Sequence, residues 1–213
     1  MFFSRIRCFA TLIAAASLSV PGTMVTAASA QTAQSENSSR SDRAVQFASA
    51  LTESANAAFS DKSVSESEQL AMFRDVLNEG LAVETIGKFV LGDARRDMSD
   101  DQTARYNAIF PQYITGLYAD QFQGILGKPL ELIDAKSIGT RDVIVRTQFK
   151  RTDSSPINVD WRIRRLRSGD QKAIDIIVSG VSIMLVKREE FSAFIATNGV
   201  DALIQRLETE AGV

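Results

Sequence analysis

The 213-residue chain has no histidine and a single cysteine, Cys8, close to its first residue. Without imidazole there is no Ser-His-Asp or Cys-His centre, and without His or further Cys ligands there is no ordinary zinc site. One cysteine cannot form an internal disulfide, so a domain exported to an oxidising compartment must be held by packing alone. Positive charge is not in excess either. Lys and Arg number 24 against 26 Asp and Glu, for a net charge of −2. General nucleic-acid affinity comes from surplus Lys and Arg neutralising phosphates, and here there is no surplus. Glycine-rich phosphate loops are missing too. "GILGK" at 124–128 is too short for a P-loop, which sets four residues between its first glycine and the Gly-Lys pair.

What is present begins with a leader. Arg5 and Arg7 precede a mostly apolar run from Phe9 to Val20, and Ala28-Ser29-Ala30 follows with the small-x-small pattern of a signal-peptidase site. That order predicts a cleavable signal peptide over residues 1–30, with Gln31 as the first mature residue. The alternative, a membrane anchor, is disfavoured because the run is shorter than the roughly 20 residues that span a bilayer. Cys8 lies before the apolar run, too early for a lipoprotein cysteine. Cleavage would remove Cys8 and two arginines and leave a mildly acidic, cysteine-free chain long enough for one domain with a sizeable core.

Residues 31–40, "QTAQSENSSR", are polar and Ser-rich, and a disordered lead-in is expected there. From residue 41 to residue 210 a single domain is expected. Ala44, Phe47, Ala48, Leu51, Ala55, Ala58 and Phe59 recur at helical spacing. Ser65 and Glu68 form a capping box ahead of a second helix through Leu70, Phe73, Val76 and Leu77. Val83, Ile86, Phe89 and Val90 predict a third, stopped by Gly92. Ser99 and Gln102 cap the longest helix, and Asp100 and Asp101 suit the positive end of its dipole. Its stripe is Tyr106, Ile109, Phe110, Tyr113, Ile114, Leu117, Tyr118 and Phe122, with Pro111 inside it as an expected kink.

The period then switches to two. "LELIDAKSIG", "RDVIVRTQFK", "INVDWRIRRL" and "KAIDIIV" read as four strands separated by the turn-like "GTR", "TDSSP" and "SGDQ". In the third, Ile157, Val159, Trp161 and Ile163 face one way and Asn158, Asp160, Arg162 and Arg164 the other. Consecutive strands with short links predict an antiparallel meander with one apolar face. Phe191, Phe194 and Ile195, then Val200, Leu203, Ile204 and Leu207 beyond Asn198-Gly199, return the chain to helix. The fold class is α+β: helices on one face of a four-stranded antiparallel sheet.

Candidate chemistry is sparse. Gly180-Val181-Ser182 resembles the start of a serine-hydrolase elbow, but Met184 stands where that turn needs glycine, and the usual histidine base is missing. A Ser182–Lys187 dyad would need a geometry that nothing in the sequence specifies. Gly180 reads as a bend where the chain leaves the sheet, with Ser182 hydrogen-bonding locally. Two carboxylates could meet from anywhere in the chain, which leaves a carboxylate-dependent hydrolase open. Asp100 and Asp101 serve as helix-terminal charges, and Asp175 could pair with a neighbouring strand. The arginines between 162 and 167 are a solvated outer face or a docking patch for acidic partners.

The order of motifs resembles the MlaC, or toluene-tolerance (Ttg2-type), family of periplasmic phospholipid-binding carriers. The matching stretches are "FRDVLNEGLAVETIGKFVLG" at 73–92, "IFPQYITGLYADQF" at 109–122, "VDWRIRRL" at 159–166 and "IDIIVSGVSIMLVKREEFSAFIATNGVDALIQRL" at 174–207. The last is the most specific: an Asp, an apolar strand, Gly-Val-Ser, a basic residue and Phe, then Gly before a Leu-rich helix. One departure is Lys172-Ala173-Ile174, which lacks the aromatic more usual before the Asp.

The resemblance implies a carrier, expected to be monomeric, that holds lipid acyl chains in a deep apolar pocket between helices and sheet. It would shuttle them between an inner-membrane ABC-type complex and an outer-membrane lipoprotein complex, maintaining outer-membrane lipid asymmetry. No catalytic residue, cofactor or metal is implied. Two acyl chains of roughly 30 methylenes in all would cost more than about 20 kcal/mol to carry unshielded through water, at about 0.8 kcal/mol each. Strand parity and helix phase nominate Phe110, Tyr113, Ile114, Leu117, Val145, Val159, Trp161, Ile163, Ile176 and Val178 as lining residues. A rigid polycyclic cargo of the hopanoid type would ask for a broader, shallower pocket.

Overall fold

The computed structural model describes residues 25–60, 63–122, 130–150 and 155–212, with the side chains of 25–34, 36, 59, 60, 122 and 130 outside that description. The leader before Val25, the "GILGK" segment, most of the "TDSSP" turn and the side chains of Phe59 and Phe122 therefore lie outside the described residues. The chain divides into Met1–Glu36, whose described part is helix, and Asn37–Val213, which contains the sheet and the remaining helices.

The first helix, α1, spans Val25–Ser60, so residues 31–40, expected to be disordered, are helical. Their polarity gives no core-facing stripe, but neither Gly nor Pro interrupts the chain between Val25 and Ser60. Gln, Glu, Ala and Arg are good helix formers, and the segment continues from the packed turns that follow. Helix α2, Glu66–Gly80, starts on the expected capping box: Ser65 Oγ accepts from Glu68 N, and Glu68 Oε2 accepts from Ser65 N at 2.8 Å. Helix α3, Val83–Leu91, ends at Gly92, whose φ of 59° favours glycine, and a 3-10 turn follows over Gly92–Arg96. Helix α4, Asp100–Phe122, is capped as expected, with Gln102 N donating to Ser99 Oγ at 3.2 Å. It remains one element through Pro111.

The sheet is an open antiparallel meander in the order β1-β2-β3-β4-β5. Its strands are β1 Leu130–Ile138, β2 Asp142–Phe149, β3 Ile157–Arg165, β4 Gln171–Val178 and β5 Val181–Ser182. Four of them were expected; the fifth is a two-residue strand paired through Val178↔Val181 and Ile177↔Ser182. The chain does not leave the sheet at Gly180 but folds back there. Ser179 (φ 50°) and Gly180 (φ 85°) supply the two positive φ values that a tight two-residue hairpin requires. Helix α5, Ile183–Ala211, closes the chain and is interrupted by non-helical Gly199.

Alternation decides which face is buried. Along β3, Val159, Trp161 and Ile163 are buried while their neighbours are not. Helices α3 and α5 pack on β4, and α4 packs on α2, α3 and α5. The α2–α3 link is pinned to β4 as well: Ala82 N donates to Ala173 O at 2.9 Å, and Lys172 Nζ donates to Glu79 O. Among the described residues no helix is long and apolar enough to cross a membrane.

Candidate functional site

Strand register turns the alternating pattern into three cross-strand rows. Val143 stands opposite Ile163, which stands opposite Ala173; Val145, Trp161 and Ile176 form the next row; Thr147, Val159 and Val178 form the third. A bulge at Ile174 shifts β4 by one residue and keeps Ala173 and Ile176 in line with their partners. The six expected strand residues (Val145, Val159, Trp161, Ile163, Ile176 and Val178) thus share one face, with Val178 half-buried at its margin.

The four expected residues of α4 belong to the same apolar core. Phe110 and Tyr113 turn toward other helices. Phe110 packs on the backbone at Gly87, where an added Cβ would lie 3.0 Å from the ring, and it stacks on Tyr106 with centroids 5.1 Å apart. Tyr113 meets Phe191 of α5 at 5.9 Å. Ile114 is fully buried, and Leu117 is half-buried. A cleft of about 560 Å³ opens between α2, α4 and the end of α5, with Tyr113 and Leu117 on its wall and Arg74, Asp75, Asp120 and Glu210 around them. A smaller one, about 170 Å³, lies between α1 and the sheet and is bordered by Leu132 and Thr147.

The polar groups within this apolar region are nearly all satisfied. Trp161 Nε1–H donates to Thr147 Oγ1 at 3.1 Å, and that hydroxyl donates to Val159 O. Tyr106 donates to Gly87 O at 3.1 Å and Thr115 to Pro111 O at 2.8 Å. Tyr118 differs. Its ring is fully buried, and its hydroxyl has no hydrogen-bond partner among the described residues. Burial pushes both the Tyr106 and Tyr118 phenols well above the ordinary tyrosine range, so both keep their protons at any physiological pH. Sequence reading placed Tyr118 on the stripe but not among the lining residues; its spacing of four from Ile114 was the available signal.

Ser182 has a structural occupation. Its hydroxyl donates to Asp175 Oδ2 at 2.6 Å and accepts from Leu185 N at 3.1 Å, capping α5. Lys187 holds Glu190 at 2.6 Å, so the two parts of the conceivable dyad are committed to different partners. Asp175 is buried and meets the neighbouring strand β5 through Ser182, as expected; it also accepts from Met184 N at 3.4 Å and so serves the start of α5. On the outer face Arg162 and Arg164 both clasp the buried carboxylate of Asp142, at 2.6 Å each. They are neither simply solvated nor free for an acidic partner.

Comparison with known proteins places this architecture. The solved structure of a phospholipid-binding protein from Ralstonia solanacearum, in complex with a phospholipid, superposes with a TM-score of 0.67 at 16% sequence identity, covering 78% of this chain and 96% of that one. The family model described as MlaC protein matches residues 46–209, from the middle of α1 to the last turns of α5. The chain belongs to the MlaC protein family.

Proposed function

We propose that this protein is a periplasmic phospholipid carrier, exported by a cleaved leader, which holds acyl chains between the apolar sheet face and α4. It exchanges them with Mla-type complexes at the inner and outer membranes and so helps to maintain outer-membrane lipid asymmetry. The main support is the family match over nearly the whole folded domain. The fold shared with the phospholipid-bound Ralstonia protein is consistent with it. The ten lining candidates supply what such a cargo needs: largely apolar side chains from two layers, with the indole N–H of Trp161 donating to its neighbour Thr147. Methylene chains buried there recover about 0.8 kcal/mol each, which matches what they leave in a bilayer and permits exchange in either direction. A cavity taking two chains belongs at or beyond the upper end of the roughly 300–1,000 Å³ usual for ligand sites. No bond-making step is assigned to any residue.

Native mass spectrometry of the mature protein purified without detergent tests this directly. A stoichiometric adduct of phospholipid mass is expected. Leu117→Glu and Val178→Glu should each lower its occupancy at least tenfold while leaving the circular dichroism spectrum unchanged, since both positions are only half-buried and a charge beside acyl chains costs well over 1.4 kcal/mol. An adduct of polycyclic mass would keep the carrier and change the cargo. A bare protein mass that persists after incubation with phospholipid vesicles would overturn the carrier function.

A further inference from the structure

Tyrosine is scarce in this chain, with three against twelve phenylalanines. Two of the three phenols have partners: Tyr106 donates to Gly87 O, and Tyr113 lies against Lys187. The third, Tyr118, is buried without one among the described residues. An unpaired buried hydroxyl is destabilising, and phenylalanine would fill the same volume without that cost. The hydroxyl therefore calls for an acceptor that arrives from elsewhere.

Its surroundings narrow what that acceptor can be. Tyr118 follows Ile114 by four residues and Phe110 by eight, on the inward stripe of α4. Its ring belongs to the same apolar cluster as Ile114, Trp161 and Ile176, and burial, with the charge of Asp175 acting the same way, keeps the phenol protonated. Asp175 itself is occupied by Ser182 and the Met184 amide. A donor buried within an apolar cluster suits a group that accepts, cannot donate, and projects sideways from a hydrocarbon chain. An ester carbonyl at the head of an acyl chain has all three properties.

We propose that Tyr118 is a ligand-positioning residue whose phenol donates a hydrogen bond to an ester carbonyl of the bound lipid. It rests on the carrier function above, and it selects ester-linked lipids over ether-linked lipids of the same shape, because an ether lacks the carbonyl oxygen.

The test uses the delipidated wild-type chain and Tyr118→Phe, each offered a diacyl phosphatidylglycerol together with its dialkyl ether analogue of equal chain length. Native mass spectrometry reads the two occupancies. Wild type is expected to favour the ester about five- to tenfold, the scale of one buried hydrogen bond. Tyr118→Phe is expected to lose that preference while binding the ether as well as wild type does. The melting temperature of the lipid-free variant should equal or exceed that of wild type. A fall of several degrees would reveal an internal partner for the phenol and overturn the assignment. Equal uptake of both lipids by wild type, or an undiminished ester preference in Tyr118→Phe, would overturn it while leaving the carrier function intact. Uptake of neither lipid by wild type would remove both.

Discussion

Burial alone would raise the pKa of Asp142, yet hydrogen bonds from Arg164 and Arg162, with their positive charges, outweigh it and hold the carboxyl below its usual range. A group depressed in the folded state contributes stability that is complete above its unfolded value, about 3.9, and disappears as pH falls through the folded one. Asp142→Asn should therefore cost about 1–3 kcal/mol at pH 7, because two guanidiniums lose a buried partner. It should also flatten the acid limb of a urea-denaturation series between pH 5 and 2. Asp175 acts in the opposite sense: burial raises its pKa, so its contribution is complete below the unfolded value and lost as pH rises through the folded one. The clasp was not legible in sequence. Arg162 and Arg164 were visible as an outward-facing pair, but only the β2–β3 register, across a separation of 22 residues, sets Asp142 opposite Arg164.

At the scale of elements, α5 carries the clearest liability. Gly199 has φ 81° and ψ 171°, a region essentially restricted to glycine, and nothing lies within 4 Å of where a Cβ would stand. Gly199→Ala should therefore cost about 1–3 kcal/mol through backbone strain alone, measurable by chemical denaturation with no change in the slope against denaturant. Asn198-Gly199 announced this interruption, because the apolar positions on either side keep separate phases. Strands β2 and β3 were legible for the same kind of reason, because a period of two runs through each; a bulge breaks the period in β1 and β4, which were legible from apolar residues bounded by turn signals. The two residues of β5 are too few to carry any period. The helical state of residues 31–40 is not legible from their polar composition, because it is continuous with the helix that runs on from Ser41.

Across the whole molecule, the leader and the folded domain make separable statements. If residues 1–30 are the proposed signal peptide, protein recovered from the periplasmic fraction should give an intact mass whose first residue is Gln31; a mass retaining Arg5 and Arg7 would mean anchoring or no export. The overall plan of helices, meander and returning helix could be read in advance because nearly every link is local. The apolar face was visible too, since parity fixed six of the ten lining candidates. The rest was not, because helix phase names a stripe without saying which neighbour it meets. Phe110 and Tyr113 lie against α3 and α5, and the phenol of Tyr118, without a partner among the described residues, emerges only when every neighbouring hydroxyl there has been accounted for.

The β1–β2 ladder, like the β3–β4 ladder, is interrupted by a bulge, here between Leu132 and Asp134. Strand β1 lies at an open edge, with Leu132, Ile133 and Ile138 exposed, the composition from which edge-to-edge aggregation starts. The bulge breaks the ladder at its most apolar point, and Glu131, Asp134 and Lys136 set charges along the remainder. A second chain seeking to extend the sheet there would meet an irregular repeat and carboxylates already paired with Arg146 and Lys150. The strand can stay greasy without becoming a template for fibrils.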